Sequence, residues 1–255
     1  MFLRKLLNLN NKVVWALVDL LMIIVGVYCA FLIQQYSEGQ RIQKEKEKIY
    51  SALKYELENF RIFMPGQSSY AASNVEKWRE ISSNGSYDNF SDWIFIQPQH
   101  TYQIIEYAIG IQDNNIVDFQ LYNTLQRLYV TVKSLEHAER LIMETSQKYL
   151  LVTKNMGSIQ VEVRNMDNLE NFKRFIRFSD SRAASLMRVA TISVEALEII
   201  NERIGETKRL ELERNLIASQ ITSLGQKERA VAAVKQHFPH FTKEELEEIY
   251  DENAN

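Results

Sequence analysis

Residues 13 to 33 read VVWALVDLLMIIVGVYCAFLI, an apolar run broken by a single ionisable side chain, Asp19. At about 1.5 Å per residue, a helix of this length covers roughly 30 Å, the thickness of a bilayer's hydrocarbon core. The run therefore predicts a transmembrane helix over 13–34. A cleaved signal peptide fits less well, because the apolar stretch is long and its exit, Phe31-Leu32-Ile33-Gln34-Gln35-Tyr36, lacks a small-x-small cleavage pattern. A lipoprotein signal needs a small residue before its cysteine, and Cys29 follows Tyr28. Cys29 is the only cysteine, so no internal disulfide can form and the compartment is not legible from cysteine usage.

On a helical wheel with Asp19 at zero, Gly26 falls at about −20°, Ala30 at about +20° and Ile33 at about −40°, with Tyr28 opposite. Small residues four apart let helix backbones approach closely, and a carboxyl within a span faces protein or water in preference to lipid. Asp19, Gly26, Ala30 and Ile33 are thus the candidate packing face, for a second copy or for another membrane subunit. The alternative is that Asp19 meets headgroups through local thinning of the bilayer and has no further role.

The order Asp19, Gly26, Ala30, Ile33, then Gln34-Gln35-Tyr36-Ser37-Glu38, resembles a large bacterial family of uncharacterised single-pass membrane proteins, a domain of unknown function. Its members carry Glu, then Ile-Gly, then Ala, then Ile-Asn-Asn-Trp-Asn-Glu at these spacings. This chain departs with Asp19 for Glu, Val18 for a preceding Gly, and Gln-Gln-Tyr-Ser for Asn-Asn-Trp-Asn. The likeness is sharpest over 18–60 and weaker over 102–136, where the family has an amphipathic helix pair. It implies an architecture and carries no activity.

The N-terminal tail, 1–12, holds Arg4, Lys5 and Lys12 without an acid, while Arg41, Lys44, Lys46 and Lys48 follow the span among Glu38, Glu45 and Glu47. Basic residues are nearly balanced across the span, and long domains translocate largely regardless of charge. The expectation is a bacterial plasma (inner) membrane protein, single-pass, with a cytoplasmic N-terminus and its C-terminal domain on the outer side.

Beyond Ile33, apolar positions Ile42, Ile49, Leu53, Leu57, Phe60 and Phe63 continue at helical steps, which predicts a stalk helix over 35–64, ended by Met64-Pro65-Gly66. Residues 65–98 are rich in Ser, Asn, Gly and Pro and read as a long connection holding a short helix near Val75–Ile81, packed by Trp78, Tyr87, Phe90, Trp93 and Phe95. A ligand contact is more expected there than in an ordinary connection, since long loops often carry function, but a lid closing one end of the bundle is the commoner role for such a stretch. A helix from Gln99 to Ala108 precedes a longer one that Asn114 or Asn115 could cap, with Leu121, Leu125, Leu128, Val132, Leu135 and Ala138 as its core stripe. IQVEVRN, 159–165, alternates like a strand but has no partner strand, so it reads as a connector. Asp167 with Glu170 then offers a capping box for a helix whose stripe is Leu186, Ala190, Ser193, Leu197, Ile200 and Ile204, followed by Leu210, Ile217 and Leu224 at steps of seven. The stripe falters at Gly205, which marks a bend. Two long helices joined by a short connection pack antiparallel, with the stalk and the Gln99 helix completing a bundle over 99–225. Residues 226–255 hold two short helices, the last opened by Thr242 with Glu245 as capping box. The fold class is therefore all-α: a membrane helix, a stalk and an antiparallel helical bundle.

The net charge is −3, and because the first 34 residues carry three basic side chains and one acid, the remainder is near −5. An acidic balance without a basic stripe argues against nucleic acid as a partner. FKRFIRFSDSR, 172–182, comes nearest, but Phe172, Phe175 and Phe178 share one helical side as core residues do. No phosphate-cradling glycine loop, His-Glu-x-x-His or paired-cysteine motif occurs, and no histidine follows a glutamate by three, so no metal, no cofactor and no catalytic residue is nominated. His237, His240, Glu244 and Glu245 suit capping and surface roles better than a metal site. Ser51 and Lys54 stand at a reactive spacing without the partner motifs of acylating enzymes.

Two functions remain. One is a membrane-anchored scaffold or sensor without catalytic activity, acting through protein–protein or ligand contacts. The alternative is a membrane-tethered enzyme whose site is built from bundle carboxylates. Two or more carboxylates sharing a pocket with a histidine would favour the enzyme, and an interior filled by the Leu and Ile stripes alone would favour the module.

Overall fold

The computed structural model describes the backbone of residues 2–84, 95–111, 116–153 and 161–254. Every regular element among them is helical: α1 (Phe2–Ser83), α2 (Gln103–Gly110), α3 (Phe119–Thr153), α4 (Val161–Ile204), α5 (Glu206–Gln220), a 3₁₀ turn at Ile221–Leu224, α6 (Lys227–His237) and α7 (Lys243–Asn253). The chain divides into two compact units, Met1–Lys48 and Ile49–Asn255.

The first unit is helix, and from Val18 to Leu32 its large apolar side chains are all exposed. It is long and apolar enough to cross a membrane, and none of that apolar window is buried by protein.

The second unit is a helical bundle. Its first strut is the C-terminal part of α1, which does not end at Met64-Pro65-Gly66 as the punctuation of the sequence predicts, but runs through Pro65 to Ser83. Proline inside a helix costs about 3 kcal/mol, because its nitrogen has no proton for the carbonyl one turn back. The stripe Ile49, Leu53, Leu57, Phe60, Met64, Ala71, Val75 and Trp78 is buried on both sides of that proline. At about 1.5–3 kcal/mol for a fully buried large apolar side chain, a few such contacts outweigh the proline penalty. The stretch read as a 65–98 connection is thus helical as far as Ser83, and residues 49–64, read as stalk, belong to the bundle. Of the aromatics assigned to that connection, Trp78 is buried and Phe95 partly buried, while Tyr87, Phe90 and Trp93 lie outside the described residues.

Helix α3 packs most extensively on α4, and their cross-contacts fix the direction. Asp118 pairs with Arg203, Arg127 with Glu195 and Glu139 with Arg182, so the numbers rise along one helix and fall along the other. Bundle α1 meets α4 in the same sense, Lys54 at Asn201, Ser68 at Ala183 and Trp78 at Phe175. Both pairs are antiparallel. The six expected stripe residues of α3 are all buried, as are Leu186, Ala190, Ser193, Leu197 and Ile200 on α4. Phe172 and Phe175 are buried in a cluster with Val75, Trp78, Ile142 and Ile176, where the Trp78 and Phe175 rings meet edge-on at 4.9 Å.

Local expectations fared unevenly. Helix α3 is capped by Asp118, whose carboxylate accepts from the Leu121 N–H at 2.9 Å; Asn114 and Asn115 lie outside the described residues. Helix α4 begins at Val161, so Asp167 falls within it instead of capping it, and Val161–Asn165 of the supposed connector is helical. The side chains of Asp167 and its neighbours through residue 147 lie outside the described residues. Gly205 ends α4 with φ +74°, a left-handed conformation that glycine adopts without steric cost, and α5 sets off again from there. Along α5 and the 3₁₀ turn that follows it the seven-residue stripe fails: Ile217 is buried, but Leu210 and Leu224 are exposed. The Thr242–Glu245 capping box is present, the Thr242 hydroxyl accepting from the Glu245 N–H and the Glu245 carboxylate accepting from the Thr242 N–H. It anchors α7 in a second core made with α5 and α6, centred on Ile217, Ile221, Ala230, Phe238, Leu246 and Ile249.

One buried acid strains this bundle. Glu56 on α1 is buried, its Oε1 has no hydrogen-bond partner, and burial pushes its carboxyl up to about 7. The folded protein therefore holds a proton there that the unfolded chain releases above pH ~4.5, so this group's contribution to stability falls as pH rises from about 4.5 to 7. Glu56→Gln is expected to remove that slope and to stabilise the protein at pH 8 by on the order of 2–3 kcal/mol, with little gain at pH 4.5. Urea melts of both proteins at the two pH values check it, and equal gains at both would mean the charge is not the cause.

Candidate functional site

Where α1, α4 and α5 meet, the core stripe gives way to charge. Lys54 and Glu58 follow Leu53 and Leu57 on the buried side of α1, and Glu213 occupies the α5 position midway between Leu210 and Ile217. All three are at least nine-tenths buried, Lys54 being 1% exposed and Glu58 and Glu213 4% each. The Lys54 ammonium donates to Glu213 Oε1 at 2.8 Å and to Asn201 Oδ1 at 2.7 Å. The second Glu213 oxygen lies 2.6 Å from His240 Nε2, and the His240 side chain is 41% exposed. A line of polar contacts thus runs from a buried ammonium through a carboxylate to a solvent-facing imidazole.

Glu58 is held separately, by Arg61 Nε at 2.5 Å, and Arg61 also donates to the His237 carbonyl and lies over the Phe238 ring. Burial dominates the protonation chemistry here. It lowers Lys54 despite the pull of Glu213, and raises Glu58 despite Arg61. His237 is also lowered, by burial first and then by Arg61. Arg209 Nε is buried without a hydrogen-bond partner, 3.9 Å from Glu213 Oε1.

All of these groups except Lys54 line a cavity of about 300 Å³, whose wall includes Glu58, Arg61, Glu198, Asn201, Arg209, Glu213, His237 and His240. Three carboxylates, those of Glu58, Glu198 and Glu213, and two histidines therefore share one pocket, the arrangement that a bundle-carboxylate enzyme requires. No serine, threonine or cysteine is among its described wall residues. The Glu213–His240 pair can orient an imidazole for proton transfer, while the wall provides no hydroxyl or thiol nucleophile for covalent catalysis.

Compared with known proteins, the chain matches no family model, no curated protein and no solved structure.

The residues expected to form the span's packing face, Asp19, Gly26, Ala30 and Ile33, lie on α1 in the first unit and are all exposed. A Cβ added at Gly26 would meet nothing within 4 Å. The four residues considered for a metal near the C-terminus are not gathered: His240 turns to Glu213, Glu245 caps α7, and Glu244 is exposed. Among the described residues no three His, Cys, Asp or Glu side chains come together as metal ligands. Lys54, considered beside Ser51, directs its ammonium to Glu213 and Asn201.

A second buried ionic group sits on α3 and α4. Glu139 is completely buried and accepts from Arg182 Nε at 2.9 Å with one oxygen, while its other oxygen is 2.9 Å from His100 Nε2.

Proposed function

We propose that this protein is a membrane-anchored helical module, without catalytic activity of its own, that works through protein–protein or ligand contacts as a scaffold or sensor. The observation that carries this reading is the contrast between its two units. From Val18 to Leu32 a helix presents large apolar side chains outward with no protein against them, while Ile49–Asn255 buries its large apolar side chains in cores of its own, beside a buried cluster of charge. Apolar surface of that length is stable in lipid or against other spans and costly in water. The resemblance over 18–60 supports the same architecture. On this reading the protein is a single-pass component of a bacterial plasma membrane, with its bundle on the outer side.

The scaffold role rests on the span's small-residue face. Gly26→Leu together with Ala30→Leu is expected to weaken self-association of the span at least several-fold in a membrane two-hybrid assay, whereas Tyr28→Leu on the opposite face leaves it intact. Equal signals from all variants at matched expression would remove the homo-oligomer and leave another membrane subunit as the partner.

The cavity walled by Glu58, Glu213, His237 and His240 favours the second reading, a tethered enzyme using general acid–base chemistry. It ranks below the module because the buried members of the cluster are held by one another: Lys54 by Glu213 and Asn201, Glu58 by Arg61.

A further inference from the structure

Between α1 and α4 lies a second cavity of about 250 Å³, whose described lining is Tyr70, Ala71, Asn74 and Trp78 of α1, Phe175, Ser179 and Arg182 of α4, Phe95, and Ile142 of α3. These residues are mostly aromatic and aliphatic, with the polar side chains of Asn74, Ser179 and Arg182 among them. Asn74 and Ser179 are 8% and 6% exposed, and neither side chain makes a hydrogen bond among the described residues. Arg182 uses Nε on Glu139, packs its guanidinium 5.1 Å over the Phe95 ring, and makes no other hydrogen bond among the described residues. An amide, a hydroxyl and the remaining guanidinium N–H groups are therefore left with hydrogen-bonding capacity at the wall of an apolar cavity.

We infer that this cavity is a binding site for an uncharged small molecule that has one aromatic ring and a carbonyl or amide acceptor. The inference rests on the ligand-reading half of the proposed function. The volume sets the size: cavities of about 150 Å³ take up benzene, so 250 Å³ holds one ring with a short polar arm. The ring lies against Trp78 and Phe175, whose own edge-to-face contact builds the aromatic wall. Charge sets the rest. Arg182 is already paired with the wholly buried Glu139, which His100 also contacts, so a carboxylate ligand would bring in a second anion with no unpaired cation among the described wall residues, and an ammonium would meet a guanidinium. A neutral acceptor takes the spare N–H groups of Arg182 and the Asn74 amide without adding charge.

The test uses the full chain in lipid nanodiscs, titrated with three probes that share one benzene ring: 2-(4-fluorophenyl)acetamide, the corresponding acetate, and 2-(4-fluorophenyl)ethylamine, followed by fluorine NMR. The amide is expected to bind with a Kd below about 1 mM, and the anion and the cation at least ~10-fold more weakly. Asn74→Leu and Ser179→Ala should each weaken the amide at least ~3-fold with the melting curve retained, which is the loss of one hydrogen bond. Ala71→Phe, which fills the cavity, should abolish binding. Affinities within 3-fold for all three probes, no binding of the amide, or unchanged affinity in both Asn74→Leu and Ser179→Ala would overturn the assignment. Membrane attachment is read separately by flotation, so a failed titration leaves the anchor standing and a failed anchor leaves the titration interpretable.

Discussion

Leu128→Asp and Ile200→Asp are each expected to unfold the bundle, while Leu210→Asp leaves it folded. Leu128 on α3 and Ile200 on α4 have no exposed surface, whereas Leu210 on α5 is 37% exposed although all three fall on apolar stripes in the sequence. An aspartate at either buried position forfeits about 1.5–3 kcal/mol of apolar burial and adds an ionised or forcibly protonated carboxyl worth several kcal/mol more. The sum, about 5 kcal/mol or more, is comparable with the whole stability of an ordinary domain. At position 210 the change should stay near ±0.5 kcal/mol. Circular dichroism melts of the full chain in detergent read all three. Similar melting of the Leu128, Ile200 and Leu210 variants would mean that α3 and α4 do not meet along these faces.

Lys54→Met should be nearly as damaging, for a different reason. It removes the ammonium that Glu213 Oε1 faces and leaves a 4%-exposed carboxylate with only His240 and a distant Arg209. Breaking a buried pair from one side costs about 3–5 kcal/mol, while replacing both partners with apolar residues of similar volume is often close to neutral. The double variant Lys54→Met, Glu213→Leu should therefore recover most of the loss, giving a coupling energy above ~2 kcal/mol in a double-mutant cycle. Additive losses would show that the two side chains do not depend on each other. This pair joins α5 to α1, so its rescue by two apolar residues also separates a structural role from a chemical one.

The helices were legible in the sequence wherever apolar residues kept a period of three and four, and α3 and the centre of α4 are the clearest cases. Pro65 was the main obstacle. Read as punctuation it ends a helix, yet Phe60, Met64, Ala71, Val75 and Trp78 keep the helical period across it, and that continuity outweighs one missing hydrogen bond. The buried charge cluster left a fainter trace. Glu213 stands three residues after Leu210 and four before Ile217, where an apolar residue would complete the stripe, and Lys54 and Glu58 each directly follow a core leucine. Their meeting with Asn201 and His240 depends on the reversal at Gly205 and on the turn before α7, so no local pattern could pair them. The cavity between α1 and α4 was hidden for the same reason, since it joins residues about a hundred positions apart once α1 continues past Pro65.

Flotation of cell membranes after an alkaline carbonate wash tests the anchor most directly. The account predicts that the full chain floats with the lipid fraction and that a chain lacking residues 13–34 stays at the bottom of the gradient, still helical and still melting cooperatively. Release of the full chain by the wash, with its fold intact, would contradict it.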